Sequence, residues 1–207
     1  DEAVNLLRGE PGSEVTLWII RPRAGWKEAR PFKLVRREIQ LPSVEESSLG
    51  DGIGWVHIRG FQETTDTDLE AALARLDKQP GGLKGLVLDL RDNPGGLLDK
   101  AIAVSNTFLS NGTIVTTVRE GGRERDESHA MQAATRASLP LVVLINRGSA
   151  SASEIVAGAL KRNDRALVIG QTSFGKGSVQ VIYRIDEAAL KLTVAQYLTP
   201  DDVSIQG

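Results

Sequence analysis

Two periodicities run through this chain. Short stretches that alternate or concentrate apolar residues read as strands: Val15–Ile20, Phe32–Val35, Ile53–Ile58, Thr113–Val118, Val179–Arg184 and Leu190–Tyr197. Three continuous apolar runs, at 85–90, 139–145 and 166–170, predict strands covered on both faces. Between them the apolar period lengthens to that of a helix. Leu69, Leu73 and Leu76 follow the capping-box pattern Thr67-x-x-Glu70, and Gly81-Gly82 closes that stretch. Leu98, Ala101, Ile102 and Phe108 mark the buried face of another helix. Residues 1–9 read as a short helix stopped at Gly9. Leu41-Pro42 is a break, and the polar stretch 119–137 reads as a long loop or flap. Strands alternating with helices predict an α/β core with parallel pairing and flanking helices.

Composition narrows the function. The 207 residues are 41% hydrophobic and 25% charged, enough for one good core. A net charge of −2 and a pI of about 5.8 argue against nucleic acid as a partner. No apolar run is long enough to span a membrane. The absence of Cys removes disulfides and thiolate chemistry and is compatible with an oxidising compartment. The chain opens inside an apparent helix, so Asp1 reads as a cut end rather than a natural start. Two isolated histidines, His57 and His129, offer no ligand set for a metal. His57 in its strand reads as an edge or partly buried residue.

One pattern is a decoy. Gly170–Lys176 fits the first seven positions of a phosphate-binding loop, with Leu86–Asp89 as an acidic strand. Gly177 stands where the magnesium-holding hydroxyl belongs, and Ser178–Tyr183 alternates like a strand where a helix should open. A nucleotide cofactor is therefore not expected.

The informative chemistry lies in Gly148-Ser149-Ala150-Ser151-Ala152-Ser153-Glu154 and in Phe174-Gly175-Lys176-Gly177. A buried strand, a glycine turn and a helix start bring side chains and unpaired N–H groups to one point, where an oxyanion can be held. Helix capping alone also accounts for a serine cluster there. Lys176 is the base that remains when no histidine is near in sequence, provided that burial disfavours its charged form. Gln180 either orients that lysine or faces solvent. Asn93-Pro94-Gly95-Gly96 leaves the carboxyl end of a buried strand, where α/β sheets place ligands, and reads equally as a structural turn or an oxyanion loop.

At these residues the chain resembles the C-terminal processing (tail-specific) proteases, Ser–Lys serine peptidases that carry a PDZ domain. Val87–Gly96 is similar to the family's oxyanion loop, 148–160 to its nucleophile helix and 170–180 to its lysine segment. Leu190–Gly207 also matches. The resemblance implies Ser151 as nucleophile, Lys176 as general base and Gln180 as its supporting residue. It implies an oxyanion hole from the N–H groups of Ala152 and Gly95, with Gly96 open as an alternative. It implies a mixed-sheet protease core over 41–207, preceded at 1–40 by the C-terminal part of a truncated PDZ domain. Cleavage of unfolded or extended polypeptides near their C-termini, without cofactor or metal, follows from the resemblance. So does an extracytoplasmic location in the periplasm, cell envelope or thylakoid lumen; a homo-oligomer stays open. The competing reading is a catalytically silent binding module on the same fold.

Overall fold

The first apolar stretches form a short helix, α1 (Glu2–Leu7), and two strands, β1 (Glu14–Ile19) and β2 (Arg30–Val35). The strands pair antiparallel, with Leu17 opposite Phe32. Trp26 stacks on Phe32 at 5.8 Å, and the guanidinium groups of Arg21 and Arg30 lie over its ring. Arg36 donates to the carbonyls of Leu6, Leu7 and Glu14 and so ties helix to strand. So few elements cover little apolar surface, and Trp18, Leu34 and Val35 remain exposed. This computed structural model describes residues 2–37, 42–119, 122, 124–131, 136–185 and 188–207. Chain contacts divide it into two units, Asp1–Leu41 and Pro42–Gly207.

The second unit is mixed α/β. Its elements in order are β3 (Val44–Gly50), β4 (Ile53–Ile58), α2 (Thr65–Asp77), β5 (Gly85–Asp89), α3 (Leu98–Phe108), β6 (Thr113–Arg119), β7 (Arg125–His129), β8 (Leu141–Ile145), α4 (Ala152–Arg162), β9 (Leu167–Gly170), β10 (Ser178–Ile185), β11 (Ala188–Thr199) and β12 (Val203–Ser204). One sheet has the order β3-β4-β5-β8-β9, parallel except for β3. The other runs β10-β11-β6-β7, with β12 added to β11, and is antiparallel throughout. Helix α4 touches β9 of the first sheet and β6 and β11 of the second, so it lies between them. Ile155, Val156, Ala159 and Leu160 are its buried face and join Leu88, Leu90, Val143 and Phe108 in one core.

Several expectations change here. Strand β3 is absent from the apolar pattern because Glu45, Glu46, Ser47 and Ser48 ride on an edge, where only backbone pairing with β4 is needed. The flap expected at 119–137 contains β7, a polar edge strand paired to β6; positions 120, 121, 123 and 132–135 of that stretch lie outside the described residues. The run at 166–170 is also an edge strand, with Leu167 and Ile169 exposed, and is not buried on both faces. Helix α2 begins at Thr65, two residues before the expected cap: Thr67 is inside the helix, and its hydroxyl donates back to the Thr64 carbonyl. Parallel pairing holds for one sheet only.

Leu88 is fully buried at the centre of the first sheet. Truncation to alanine there is expected to cost about 2–5 kcal/mol, read from the urea midpoint at unchanged slope.

Candidate active site

Strands β5, β8 and β9 are parallel neighbours, so the loops that follow them leave from one edge of the sheet. This brings together residues 90–97, 146–151 and 171–177, which are remote in sequence.

The turn after β8 is fastened to the loop after β5 by hydrogen bonds, exposed at Asp92 and buried at Ser149, Ser153 and Asn93. Asn146 Oδ1 accepts the N–H groups of Asp92 and Gly148, both at 2.9 Å, while its Nδ2 donates to Asp92 Oδ1. Ser149 Oγ donates to the Leu90 carbonyl at 2.7 Å. The Asn93 carbonyl accepts from the Ala150 N–H and from Ser153 Oγ, both at 3.0 Å, and Asn93 Nδ2 donates to the Ile58 carbonyl. Ser149, Ser153 and Asn93 have no exposed surface. Two of the three clustered serines are thus committed to holding the loops together. Ser151 alone stays partly exposed, at the N-terminus of α4.

Ser151 adopts φ 54° and ψ −113°, a conformation that costs a non-glycine residue about 1–3 kcal/mol. A strained turn between strand and helix is the geometry that lifts a nucleophile out of the backbone. Its own N–H donates to Glu154 Oε2 at 2.8 Å, as the pattern Ser151-x-x-Glu154 permits. Ala152 follows as the first residue of α4; its N–H has no intrahelical acceptor and no acceptor among the described residues.

Gly95 lies against this turn. It has φ 101°, and a Cβ there would fall 2.8 Å from the Ser151 Cβ and 3.1 Å from the Ala152 nitrogen. Only glycine allows that approach. The Gly95 N–H donates to Asn93 Oδ1 at 2.9 Å in this structure. Gly96 is needed for a different reason: a Cβ there would meet the Phe61 carbonyl oxygen at 2.2 Å, where Phe61 bridges the loop to the end of β4.

The segment after β9 closes the site. The Phe174 N–H donates to the Ser149 carbonyl at 2.9 Å. The N–H groups of Gly175 and Lys176 donate to Glu154 Oε1 and Oε2 at 2.6 and 2.9 Å. The backbone of Lys176 is therefore held beside the Ser151 turn. Its side chain is exposed, and Nζ makes no hydrogen bond or ion pair among the described residues, so the inward burial expected for Lys176 is not observed. Gln180 is exposed too and donates to Thr193 Oγ1 at 3.4 Å, just past an irregularity in the β10–β11 register. Its side chain makes no hydrogen bond to the lysine. No helix follows Lys176, and the Gly175 and Lys176 N–H groups meet a carboxylate, not a phosphate, which disposes of the nucleotide loop.

The structure adds two buried acids that the sequence reading did not single out. Glu154 has already appeared; its signal was the second capping-box pattern. Asp89, at the end of β5, accepts from Trp55 Nε1, from the Arg91 N–H and from the Arg91 guanidinium. Burial acts to raise its pKa, but the bonds from Arg91 and Trp55 together outweigh burial and hold it below the ordinary carboxylate value of 3.8. Asp89 thereby anchors the start of the loop that carries Asn93 and Gly95. His57, half-buried, sits with Nε2 3.2 Å from the Arg91 carbonyl and braces the same loop. Among the described residues, no cluster of His, Asp or Glu could hold a metal ion.

The segments that build this site fall within residues 52–207, the stretch matched by the sequence model of peptidase family S41. The chain belongs to that family. It is 46% identical over 215 residues to a carboxy-terminal-processing protease of Bartonella bacilliformis, covering 100% of this chain and 48% of that protein. With the carboxy-terminal processing protease CtpA of Bacillus subtilis it shares 39% over 204 residues, covering 97% and 42%. The solved photosystem II D1 C-terminal processing protease superposes with a TM-score of 0.72 at 33% identity, over 96% of this chain and 54% of that one. The chain thus spans about half the length of these S41 relatives.

Because the folded-state pKa of Asp89 is depressed, its contribution to stability is present above the ordinary value of 3.8 and is lost as the pH falls through the lower folded value. Asp89→Asn is therefore expected to melt below the parent at pH 7, with the gap in Tm closing below about pH 4. Thermal melts from pH 7 to pH 2.5 check this.

Proposed function

We propose that this chain carries the catalytic core of a serine endopeptidase that cleaves unfolded or extended polypeptides near their C-termini. The observation that supports it best is the strained Ser151 turn at the mouth of α4, packed against Gly95 and joined to the lysine segment. Ser151 Oγ attacks the peptide carbonyl carbon. Lys176, in its neutral form, takes the hydroxyl proton and delivers it to the amine as the C–N bond breaks. Water, deprotonated in its turn by Lys176, then attacks the acyl carbon, and the proton passes from Lys176 to Ser151 Oγ as the ester C–O bond breaks, which restores the free enzyme. The Ala152 N–H, at the positive end of α4, and the Gly95 N–H stabilise the oxyanion, the latter by turning from Asn93 Oδ1. A bound polypeptide covers the exposed Lys176 and supplies the desolvation that the chain alone does not. Gln180 serves as the supporting residue once the lysine turns inward. No cofactor enters any of these steps.

Polypeptide substrates and the preference for C-termini are carried over from the printed names of the S41 relatives. The assignment of 1–40 as the end of a PDZ domain and 41–207 as the protease core belongs to the same proposal, as does an extracytoplasmic location. No helix among the described residues is long and apolar enough to cross a membrane.

Incubation with unfolded casein tests the chemistry. The parent should cleave, and Ser151→Ala and Lys176→Ala should each lose at least about 1,000-fold in kcat/KM. A parent that neither cleaves casein nor reacts at Ser151 with a fluorophosphonate would leave the silent binding module as the better reading. Gly95→Ala, which drives a methyl into the Ser151 turn, is expected to lower kcat by about 100-fold or more while the protein stays folded by circular dichroism.

A further inference from the structure

Glu154 does more than a capping box requires. In such a box the acid at the third helical position accepts one N–H, that of the N-cap residue, and glutamine serves as well as glutamate. Here the carboxylate accepts three: Ser151 N–H at 2.8 Å, and Gly175 and Lys176 N–H at 2.6 and 2.9 Å from a segment 21 and 22 residues further on. Oε2 is shared between the nucleophile turn and the lysine backbone, and Oε1 holds the glycine before the lysine. Glu154 is 5% exposed, and it lies in the first turn of α4, where negative charge is favoured.

We propose that Glu154 is a positioning residue, a three-way clamp that sets the Lys176 backbone in register with the Ser151 turn. The inference rests on the Ser–Lys reading given above. The segment from 171 to 177 has no helix or strand of its own to fix it, and the proposed dyad draws its lysine from that segment and its serine from the turn before α4. One buried carboxylate with four lone-pair sites can bind both; an amide, with a single acceptor oxygen, can keep only part of the set and turns an N–H toward a donor. The clamp acts on backbone, so it leaves the Lys176 side chain free to swing between solvent and Ser151 while its Cα stays in place.

Glu154→Gln loosens the clamp while sparing the cap: one amide oxygen can keep the bonds made by Oε2, but the amide NH2 then faces the Gly175 N–H, donor against donor, and that arm of the clamp is lost. The expected result is a fall in kcat of about 10–100-fold with KM within about twofold of the parent. The acid limb of the kcat/KM pH profile should also move, since that limb reports the base that Glu154 positions. Leu160→Ala, a core truncation further along the same helix, controls for stability: it should lower Tm at least as much and leave kcat near the parental value. If Glu154→Gln gives no cooperative melt, Glu154→Asp, which keeps the charge but withdraws the carboxylate by one methylene, is measured in the same way. Parental kcat and an unmoved acid limb in the glutamine variant, alongside inactive Ser151→Ala and Lys176→Ala, would overturn the clamp and leave the dyad standing. So would a loss of kcat matched by Leu160→Ala. If Ser151→Ala or Lys176→Ala cleaves as the parent does, the dyad falls and the clamp falls with it.

Discussion

The parallel register of β5, β8 and β9 is the constraint on which the site depends. Each of these strands must be followed by a chain segment at the same edge of the sheet, because parallel neighbours end together. That edge therefore collects a glycine loop, a serine turn and a lysine segment from three separate parts of the sequence. Helix α4, wedged between the two sheets, then fixes where the serine turn ends and which N–H groups face outward.

What holds the three loops at that edge is polar, not apolar. Asn93, Ser149, Ser153, Asp89 and Glu154 are all buried, and each has hydrogen-bond partners that belong to a neighbouring loop or strand. Apolar packing would tolerate small shifts between loops. Hydrogen bonds at 2.6–3.0 Å do not, and a buried polar atom left without its partner is destabilising by about 1–3 kcal/mol. The network thus stabilises one arrangement of the loops and penalises its neighbours. It also sustains the backbone strain at Ser151, which no isolated turn would keep.

The rigid and the adjustable parts of the site are distinct. The Ser151 turn, the Gly95 loop and the Lys176 backbone are each held by hydrogen bonds of their own or of the adjacent residue. The Lys176 and Gln180 side chains are exposed and project from the adjoining antiparallel sheet and its entry loop. This division accords with the proposal above, in which the Gly95 N–H and the lysine side chain reorient when a polypeptide covers the site.

Much of this was legible in the sequence. Apolar period marked α2, α3 and most strands, since burial on one face or two imposes those spacings, whereas α4 was read from its glycine-serine start and the family resemblance. The serine cluster, the Asn-Pro-Gly-Gly loop and the flanked lysine were visible because glycine and proline restrict where a chain can turn. Edge strands β3 and β7 were hidden, because pairing through backbone alone leaves no mark on side-chain polarity. Tertiary structure alone decided the rest. It buried the hydroxyls of Ser149 and Ser153 and left Ser151, which the family resemblance had already singled out, partly exposed. It turned Glu154 from a helix cap into a link between remote loops, and it left Lys176 exposed. Sequence spacing governs contacts within an element, whereas these outcomes depend on which loops a parallel sheet brings to the same edge.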